Sequence, residues 1–310
     1  MEASPHAKRA VITGGAGFIG SHVVDLFVAE GYDVVAIDDL STGSEANVAE
    51  QARLEQLDIV DAAAVERVIS SFRPGVVCHL AAQASVTVSV QSPDRDLDVN
   101  VRGTFNVCDA ARRAGARVVF ASTGGALYGD DVPLPTPEEV PARPLAPYGA
   151  SKLAAEAYVA TWGRLHGIAN VVLRLGNVYG PRQSPPGEAG VVAIFSDRLR
   201  SGEQPIVYGD GSPTRDYIHV SDVARAFLAA AEGGRPGTYN VGWGAETSVS
   251  ELLDSLQRIA GTSVEPRLEP LRPGELKRSA LDASRIANEL GWRPQVGLDE
   301  GLAATYASFG

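Results

Sequence analysis

The sequence predicts an α/β fold of the Rossmann type, a doubly wound parallel sheet with a smaller α/β C-terminal lobe. Short apolar runs alternate with longer helix-like stretches over residues 1–175, as in strands joined by right-handed helical crossovers. The strand-like runs are almost continuous in Val, Ile and Leu, which is typical of a sheet buried on both faces. A glycine-rich turn follows the first run, where an open α/β sheet binds its ligand.

The predicted strands are the short apolar runs, namely Arg9–Thr13, Asp33–Asp38, Gly75–Leu80, Arg117–Ala121 and Asn170–Leu175. The predicted helices are the longer stretches, at about Phe18–Glu30, Asp61–Ser71, Leu97–Ala114, Tyr148–His166, Ser221–Glu232 and Ser250–Ala260. The proline-dense segment 133–147 and the stretch 180–190 are predicted to be loops. We expect residues 1–175, with a returning segment at about 206–240, to form the sheet domain. Residues 176–205 and 241–310 form the predicted lobe.

Composition excludes several classes of protein. The 310 residues are 45% hydrophobic and 21% charged, so a packed core is expected. The net charge of -11 disfavours nucleic-acid binding, because an acidic surface repels phosphate backbones. No apolar run approaches the ~18 residues of a membrane helix, and the N-terminus lacks the apolar core of a signal peptide. Cys78 and Cys108 lie in apolar contexts, typical of buried thiols in a reducing compartment. We expect a cytoplasmic protein.

The turn after the first strand predicts a dinucleotide site. Gly14 permits a tight turn, Gly17 lets the backbone approach a pyrophosphate, and Gly20 lets the helix pack close to the sheet. Asp38 ends the second strand, where a carboxylate binds the adenosine ribose hydroxyls. That carboxylate would repel a 2′-phosphate, and the segment 39–43 adds an acid and no Arg or Lys. NAD is therefore favoured over NADP.

Tyr148 and Lys152 predict a proton-transfer site. They are four positions apart, which places them on one face of a helix. A tyrosine with a pKa near ~10 is a poor base at neutral pH, but a nearby ammonium lowers that value. Ser122 and Thr123 follow the fourth strand, at the sheet edge where ligands bind. The glycines 124 and 125 after them let a substrate come close.

Five motifs occur in one chain: TGGAGFIGSH from Thr13, HLAAQASV from His79, ASTGGALYGD from Ala121, YGASK from Tyr148 and RDYIHVSDVA from Arg215. Together they resemble the extended short-chain dehydrogenase/reductases, from about residue 10 to about residue 301. Within that superfamily the chain is similar to the UDP-glucose 4-epimerases of the NAD-dependent epimerase/dehydratase family. The stretch GPRQSPPGEAGVVAIF from Gly180 points to nucleotide-sugar 4-epimerases.

The resemblance implies a tightly bound NAD. Asp58 and Ile59 would meet the adenine, Ala81 and Ala82 would line the pyrophosphate side, and Asn100 would support the site from behind. The remaining implied cofactor contacts, besides Tyr148, Lys152 and the glycines and Asp38 already named, are Phe18, Ile19, Asp39, Leu40, Ser41, Thr42, Gly43, Leu80 and Gln83.

The resemblance also implies a UDP-sugar substrate, with UDP-glucose and UDP-galactose favoured. Tyr148 would be the acid/base, Lys152 its activator, and Thr123 or Ser122 the hydroxyl that binds the sugar O4. The sugar would be oxidised at C4, would rotate as a 4-keto intermediate, and would be reduced again. The implied substrate contacts are Asn177 and the clamp Arg215 and Arg272 at the diphosphate, Glu275 at the ribose, and Val191, Val192 and Tyr208.

Departures from the family leave alternatives open. Ser279 stands where many members carry a gate residue, and a small residue there predicts a roomier sugar site. UDP-glucuronate and UDP-N-acetylglucosamine 4-epimerases would keep every residue named above. A net nucleotide-sugar oxidoreductase is less favoured, and glycines at 124 and 125 disfavour a dehydratase, since similar dehydratases have Asp-Glu there. Helices 97–114 and 148–166 are expected to form a homodimer interface, as in similar enzymes.

Overall fold

A computed structural model of the protein describes residues 8–184, 190–270 and 276–309. The strands are β1 (Arg9–Thr13), β2 (Asp33–Asp38), β3 (Arg53–Gln56), β4 (Val76–His79), β5 (Arg117–Thr123), β6 (Val171–Leu175), β7 (Asn177–Tyr179), β8 (Ile206–Tyr208), β9 (Thr214–Arg215), β10 (Tyr217–His219), β11 (Gly237–Val241), β12 (Thr247–Ser248) and β13 (Arg267–Glu269).

The α-helices are α1 (Phe18–Ala29), α2 (Ala62–Phe72), α3 (Val86–Gln91), α4 (Pro93–Leu97), α5 (Thr104–Ala114), α6 (Pro147–His166), α7 (Val191–Arg200), α8 (Val220–Gly233), α9 (Val249–Ala260), α10 (Ser284–Leu290) and α11 (Leu298–Ala307). A 3-10 turn covers Glu45–Asn47, and a π-helical segment covers Asp98–Gly103.

A seven-stranded parallel sheet is the centre of the fold, with the strand order β11-β6-β5-β4-β1-β2-β3. The chain builds outward from β1 to β3 and then returns to place β4 on the other side of β1. At such a reversal the carboxyl ends of the two central strands leave a crevice for a ligand. The predicted fold class is confirmed.

All of the predicted strands are present, but two further sheet strands, β3 and β11, were not predicted. Both lie at the edges of the sheet. The edge strand β3 has the sequence RLEQ and is only partly buried, so it lacks the continuous apolar run of the central strands. β5 extends to Thr123, two residues beyond the predicted end, because Ser122 and Thr123 pair with Arg174 and Leu175 of β6.

The stretch 97–114 is helical throughout, as predicted, but a π-helical segment interrupts the regular α-helix. Pro93 begins the short helix α4, a π-helical segment follows from Asp98 to Gly103, and α5 starts only at Thr104. A Cβ on Gly103 would lie 2.6 Å from the Ile59 side chain, so the segment packs against the loop after β3. The other predicted helices are confirmed, with ends that differ by at most one residue.

Helices cover both faces of the sheet. Side chains alternate along each strand, so Val11 faces α2, α5 and α6, whereas Ile12 faces α1 and α8. The lobe has its own core between α7, α9 and α11, where Phe195, Leu252 and Leu302 meet. This arrangement leaves the carboxyl edge of the sheet between the two cores.

Two expectations from composition can be compared with the described residues. Cys78 and Cys108 are both buried and unpaired, as predicted. No helix in the described ranges is both long enough and apolar enough to cross a bilayer. In the same part of the chain, His, Cys, Asp and Glu side chains form no group of three or more that could hold a metal ion.

His79 is a fully buried side chain at the end of β4. Its Nδ1 lies 2.6 Å from the Thr13 hydroxyl and its Nε2 lies 2.9 Å from the Thr104 hydroxyl. Because the Thr104 hydroxyl donates its hydrogen to the Asn100 carbonyl oxygen, it accepts a hydrogen bond from Nε2–H, and Nδ1 is left as an acceptor for the Thr13 hydroxyl. Burial, together with the ammonium of Lys152, lowers the pKa of His79 to about 3.

The pKa of His79 predicts acid sensitivity. An unfolded chain takes up a proton on this ring near pH 6.5, whereas the folded protein does so only at about 3. The contribution of the neutral His79 ring to the free energy of unfolding is therefore present above pH 6.5. It is lost as the pH falls towards 3, by roughly 1.4 kcal/mol per pH unit. Urea unfolding of His79→Gln at pH 7 and pH 5 should show a shallower pH dependence than wild type. The exposed control His166→Gln should match wild type, and equal slopes for all three proteins would contradict the assignment.

Candidate active site

The turn 14–20 lies at the carboxyl end of β1, where the strand order reverses. Gly14 has a φ of 70°, in the left-handed region that favours glycine, and a Cβ on it would lie 2.7 Å from the Ala81 nitrogen. A Cβ on Gly20 would overlap the carbonyl oxygen of Gly14. Gly17 begins α1, whose first N–H groups have no partner within the helix. This geometry suits a pyrophosphate.

Asp38 ends β2 beside this turn and is 7% exposed. Its carboxylate accepts the N–H of Ala16 at 3.0 Å and the N–H of Leu40 at 2.9 Å. Burial raises the pKa of the Asp38 carboxyl, and these backbone bonds oppose that shift. Asp38 therefore braces the glycine turn, a role that the sequence did not predict. Its contact with a ribose stays a prediction.

A cleft of about 1400 Å³ opens at the carboxyl edge of the sheet. It brings together residues that the sequence predicted for the dinucleotide, for proton transfer and for the substrate. The predicted residues that line the cleft are Phe18, Ile19, Ser41, Thr42, Thr123, Tyr148, Asn177, Val191, Tyr208 and Arg215.

Helix α6 places Tyr148 and Lys152 in the site. Pro147 is at the first helical position, where its missing N–H costs no hydrogen bond, so Tyr148 lies in the first turn. Lys152 is 3% exposed, and its Nζ donates to the carbonyl oxygen of Ala121 in β5 at 2.9 Å. The same ammonium lies 4.7 Å from the centre of the Phe120 ring. A buried ammonium one helical turn from Tyr148 favours the phenolate form of a tyrosine.

Ser122 and Thr123 point in different directions, since side chains alternate along a strand. The Ser122 Oγ is buried and donates to Glu156 Oε1 at 2.5 Å. Thr123 lines the cleft, and its Oγ1 accepts the N–H of Ala126 at 3.2 Å. The geometry therefore favours Thr123 over Ser122 as the hydroxyl that meets a substrate.

Asn100 lies in the π-helical segment and is 1% exposed. Its Nδ2 donates to the Gln83 carbonyl oxygen at 2.9 Å and to Ser151 Oγ at 3.1 Å, and its Oδ1 accepts the Gln83 N–H at 2.9 Å. The buried carboxylate of Asp96 accepts hydrogen bonds from Asn100 Nδ2 and Gln83 Nε2. Asn100 thus joins the loop after β4 to the residue before Lys152, and its support of a bound cofactor stays a prediction.

The other predicted cofactor residues lie around these groups. The N–H groups of Leu80 and Ala81 each lie 3.2 Å from Thr13 Oγ1, and Ala82 follows them in the same loop. Asp58 is exposed and accepts the Val60 N–H, whereas Ile59 is buried in the core. Neither of these two belongs to the described lining of the cleft, so their contact with adenine stays a prediction. Asp39 accepts hydrogen bonds from Ser41, and Gly43 approaches Asp38.

Not every predicted substrate residue faces the cleft. Val192 points into the lobe core and is 1% exposed. Ser279 is 7% exposed and does not belong to the described lining, where Leu276 is found. Arg272 and Glu275 lie outside the described residues. Other lining residues were not predicted, because their segments gave no signal of a binding role; these residues include Ala84, Val86, Thr87, Val90, Leu145 and Ile206.

The sequence profile of the NAD dependent epimerase/dehydratase family matches residues 10–242. The chain belongs to this family. It is 45% identical over 309 residues to a UDP-glucose 4-epimerase of Mycolicibacterium smegmatis, an alignment that covers 97% of this chain and 98% of that protein.

Two solved structures of UDP-glucose 4-epimerases have nearly the same fold. The structure from the hyperthermophilic Thermotoga maritima, with UDP-glucose, matches with a TM-score of 0.95 at 44% identity. The structure from Thermus thermophilus, in complex with NAD, matches with a TM-score of 0.91 at 45% identity. Each match covers 97% of this chain and 98% of the other.

The close packing of Gly20 predicts that it tolerates no side chain. Gly20→Ala should weaken NAD binding at least about tenfold, or 1.4 kcal/mol, because the added methyl group meets backbone that cannot rotate away. Gly297→Ala is the matched control, since nothing lies within 4 Å of a Cβ there. Titration of NAD-depleted protein with NAD compares the two affinities. Equal affinities for both variants and wild type would contradict the packing argument.

Proposed function

We propose that the chain is an NAD-dependent UDP-sugar 4-epimerase, with UDP-glucose and UDP-galactose as the favoured pair. The proposal rests chiefly on the cleft in which Tyr148, Thr123 and Asn177 lie together with the start of α1. Family membership supports it, and so does the likeness to UDP-glucose 4-epimerases over almost the whole chain.

In this proposal Tyr148 takes the proton of the sugar 4-hydroxyl and later returns it. A buried ammonium stabilises the phenolate that this step needs, and Lys152 supplies one from the next helical turn. Thr123 would bind O4 while the proton moves. Ser122 is not assigned this role, because its hydroxyl already donates to Glu156.

Bound NAD would accept a hydride from C4 of the sugar and later return it. The glycine turn and the first N–H groups of α1 fit its pyrophosphate, and Asp38 fits its ribose. Asn177 and Arg215 line the cleft and are proposed to hold the substrate diphosphate, because an arginine fork pairs well with phosphate oxygens. Arg272 and Glu275 stay predictions for the same clamp and for the uridine ribose.

Because the nucleotide is bound tightly and the sugar loosely, the 4-keto sugar can rotate in the cleft. It is then reduced on its opposite face. This scheme keeps NAD bound throughout turnover. A net nucleotide-sugar oxidoreductase, which would release reduced cofactor, is therefore less favoured.

The identity of the sugar is the least constrained part of the proposal. UDP-glucuronate and UDP-N-acetylglucosamine stay alternative substrates, because the residues assigned here would serve either one. Arg182 lines the cleft, where a guanidinium could meet a uronate carboxylate, but it forms an ion pair with Asp25 at 2.8 Å. That pairing favours a neutral sugar.

Purified protein with its resident NAD, and with no NAD added, is predicted to interconvert UDP-glucose and UDP-galactose. Tyr148→Phe should lower kcat by roughly 10²–10⁴-fold, the usual contribution of a general acid/base, with little change in KM. Chromatographic separation of products from a panel of UDP-sugars measures this and ranks the alternative substrates. The proposal would be refuted if the NAD-loaded protein turned over no UDP-sugar.

We also propose the division into a sheet domain, residues 1–175 with a returning segment, and a lobe formed by 176–205 and 241–310. The separate lobe core around Phe195 supports this division. Within this proposal the returning segment, predicted at about 206–240, narrows to 220–241, because β10 pairs with β7 of the lobe. Strands β8 and β9 pair with β13 and β12 of the lobe, whereas α8 and β11 pack with the sheet.

We also propose a homodimer through the helical stretch 97–114, which ends in α5, and through α6. Leu97, Tyr158 and Leu165 are 55%, 42% and 67% exposed, although they are apolar and lie along these helices. Phe105 and Trp162 stack edge to face beside them at 5.2 Å. Exposed apolar side chains beside such an aromatic cluster are typical of an interface. We further propose a cytoplasmic location, which fits the buried thiols, and a role in galactose metabolism.

Leu165→Glu is predicted to convert the dimer into monomers, weakening association by about 100-fold or more because a buried unpaired charge is costly. Sedimentation velocity at several concentrations measures the change. Leu268→Glu is the control, since Leu268 is 63% exposed but lies on β13 in the lobe. A monomeric wild-type protein, or a Leu165→Glu protein that stays dimeric, would refute this interface.

A further inference from the structure

One face of α6 carries Tyr148, Lys152 and Glu156 at successive intervals of one turn. Lys152 Nζ donates to the carbonyl oxygen of Ala121, and Glu156 Oε1 accepts from Ser122 Oγ at 2.5 Å. Both contacts reach the last three residues of β5. The helix is therefore tied to the end of this strand at two consecutive turns.

Arg174 completes the second contact from the neighbouring strand. It lies opposite Ser122 in the pairing of β5 with β6. Its Nη2 donates to Glu156 Oε2 at 2.7 Å and its Nε donates to Oε1 at 3.0 Å, while both residues are less than a tenth exposed. Burial alone would lower the pKa of Arg174, but the bonds to Glu156 raise it overall. The Arg174 guanidinium therefore stays protonated although it is buried.

The same guanidinium extends the network to the loop after β5. Arg174 Nη1 donates to Tyr128 Oη at 2.9 Å, and Tyr128 Oη donates to Asn240 Oδ1 at 2.8 Å. Asn240 lies opposite Arg174 in β11, and its Nδ2 donates to the Thr136 carbonyl oxygen. Ser122, Arg174 and Asn240 thus form one polar row across three strands, which the proton-transfer proposal does not use.

We propose that Glu156 and Arg174 are positioning residues for the reaction. They fix α6 against β5 and β6, and so set the geometry between Tyr148 on the helix, Thr123 at the end of β5 and Asn177 just after β6. This inference deepens the proposed function and rests on it. Thr123 directly follows a member of the network, and Asn177 lies three residues after another.

A buried ion pair is a poor way to gain stability alone, because apolar side chains of similar volume often stabilise a fold as well or better. The paired hydrogen bonds of an arginine fork, however, fix direction as well as distance. Apolar contacts would let the helix slide along the sheet. Since the reacting groups come from different elements, a displacement near 1 Å is enough to slow the reaction strongly.

The test is the double variant Glu156→Leu/Arg174→Met, purified with its resident NAD. It removes both charges and keeps the packing volume, so it is expected to fold and to keep KM for UDP-glucose within about threefold, while kcat falls about 100-fold. Arg174→Lys keeps the ion pair without the full fork and is expected to recover at least about a tenth of wild-type kcat. In crystals of the double variant, the distance from Lys152 Nζ to the Ala121 carbonyl oxygen should exceed the 2.9 Å of the wild type.

If the double variant does not fold, Ser122→Ala tests the same positioning role, because it removes only one hydroxyl. We expect kcat to fall by roughly three- to tenfold at unchanged KM, the effect of one buried hydrogen bond. Thr305→Val, which removes a buried hydroxyl from the lobe, is the control and should match wild type. Wild-type kcat in the double variant, or in Ser122→Ala if only that variant folds, would overturn the inference.

Failure of the proposed function gives a different result. If wild-type protein turns over no UDP-sugar, the proposed function is refuted. The distance from Lys152 Nζ to the Ala121 carbonyl oxygen in crystals of the double variant still tests whether Glu156 and Arg174 position α6. An α6 that keeps its wild-type position in the double variant overturns the positioning role, and a displaced α6 supports it.

Discussion

The contact between α6 and the carboxyl end of β5 is the constraint on which the rest of the site depends. β5 ends at the edge of the sheet, where Thr123 faces the cleft. The helix brings Tyr148 to the same cleft and buries Lys152 against the strand carbonyl of Ala121. Neither element alone makes a site, because the tyrosine and the hydroxyl belong to segments joined by a long loop. Their relative placement is a property of the packed fold.

A second polar network joins the cofactor side to the same helix. Thr13, at the end of β1, contacts His79, and the chain of hydrogen bonds continues through Thr104 to Asn100. Asn100 then reaches Ser151, the residue before Lys152. The strand that carries the glycine turn and the helix that carries the tyrosine are therefore linked through fully buried groups. Buried polar groups that are satisfied in this way specify one arrangement, whereas partly satisfied groups would be costly.

Local features were predictable from the sequence, and long-range ones were not. The glycine turn follows from backbone geometry within a few residues, and the Tyr148–Lys152 pair follows from helix periodicity. The choice between Ser122 and Thr123 needed the position of Glu156, 34 residues away. The π-helical segment that holds Asn100 gives no distinct sequence pattern. The edge strand β3 was missed because it is only partly buried and so needs no continuous apolar run. The ion pair of Arg182 was not predictable either, because its partner Asp25 lies far away in the sequence, on α1.

In the proposed mechanism, one cleft oxidises and re-reduces C4 of a UDP-sugar with a hydride that never leaves the site. The most direct measurement follows a deuterium label at C4 of UDP-glucose through turnover by NAD-loaded protein, with product analysed by mass spectrometry. Our account predicts UDP-galactose that keeps the deuterium at C4, in ordinary water and without added NAD. Loss of the label to solvent, or to NAD added in excess, would contradict it.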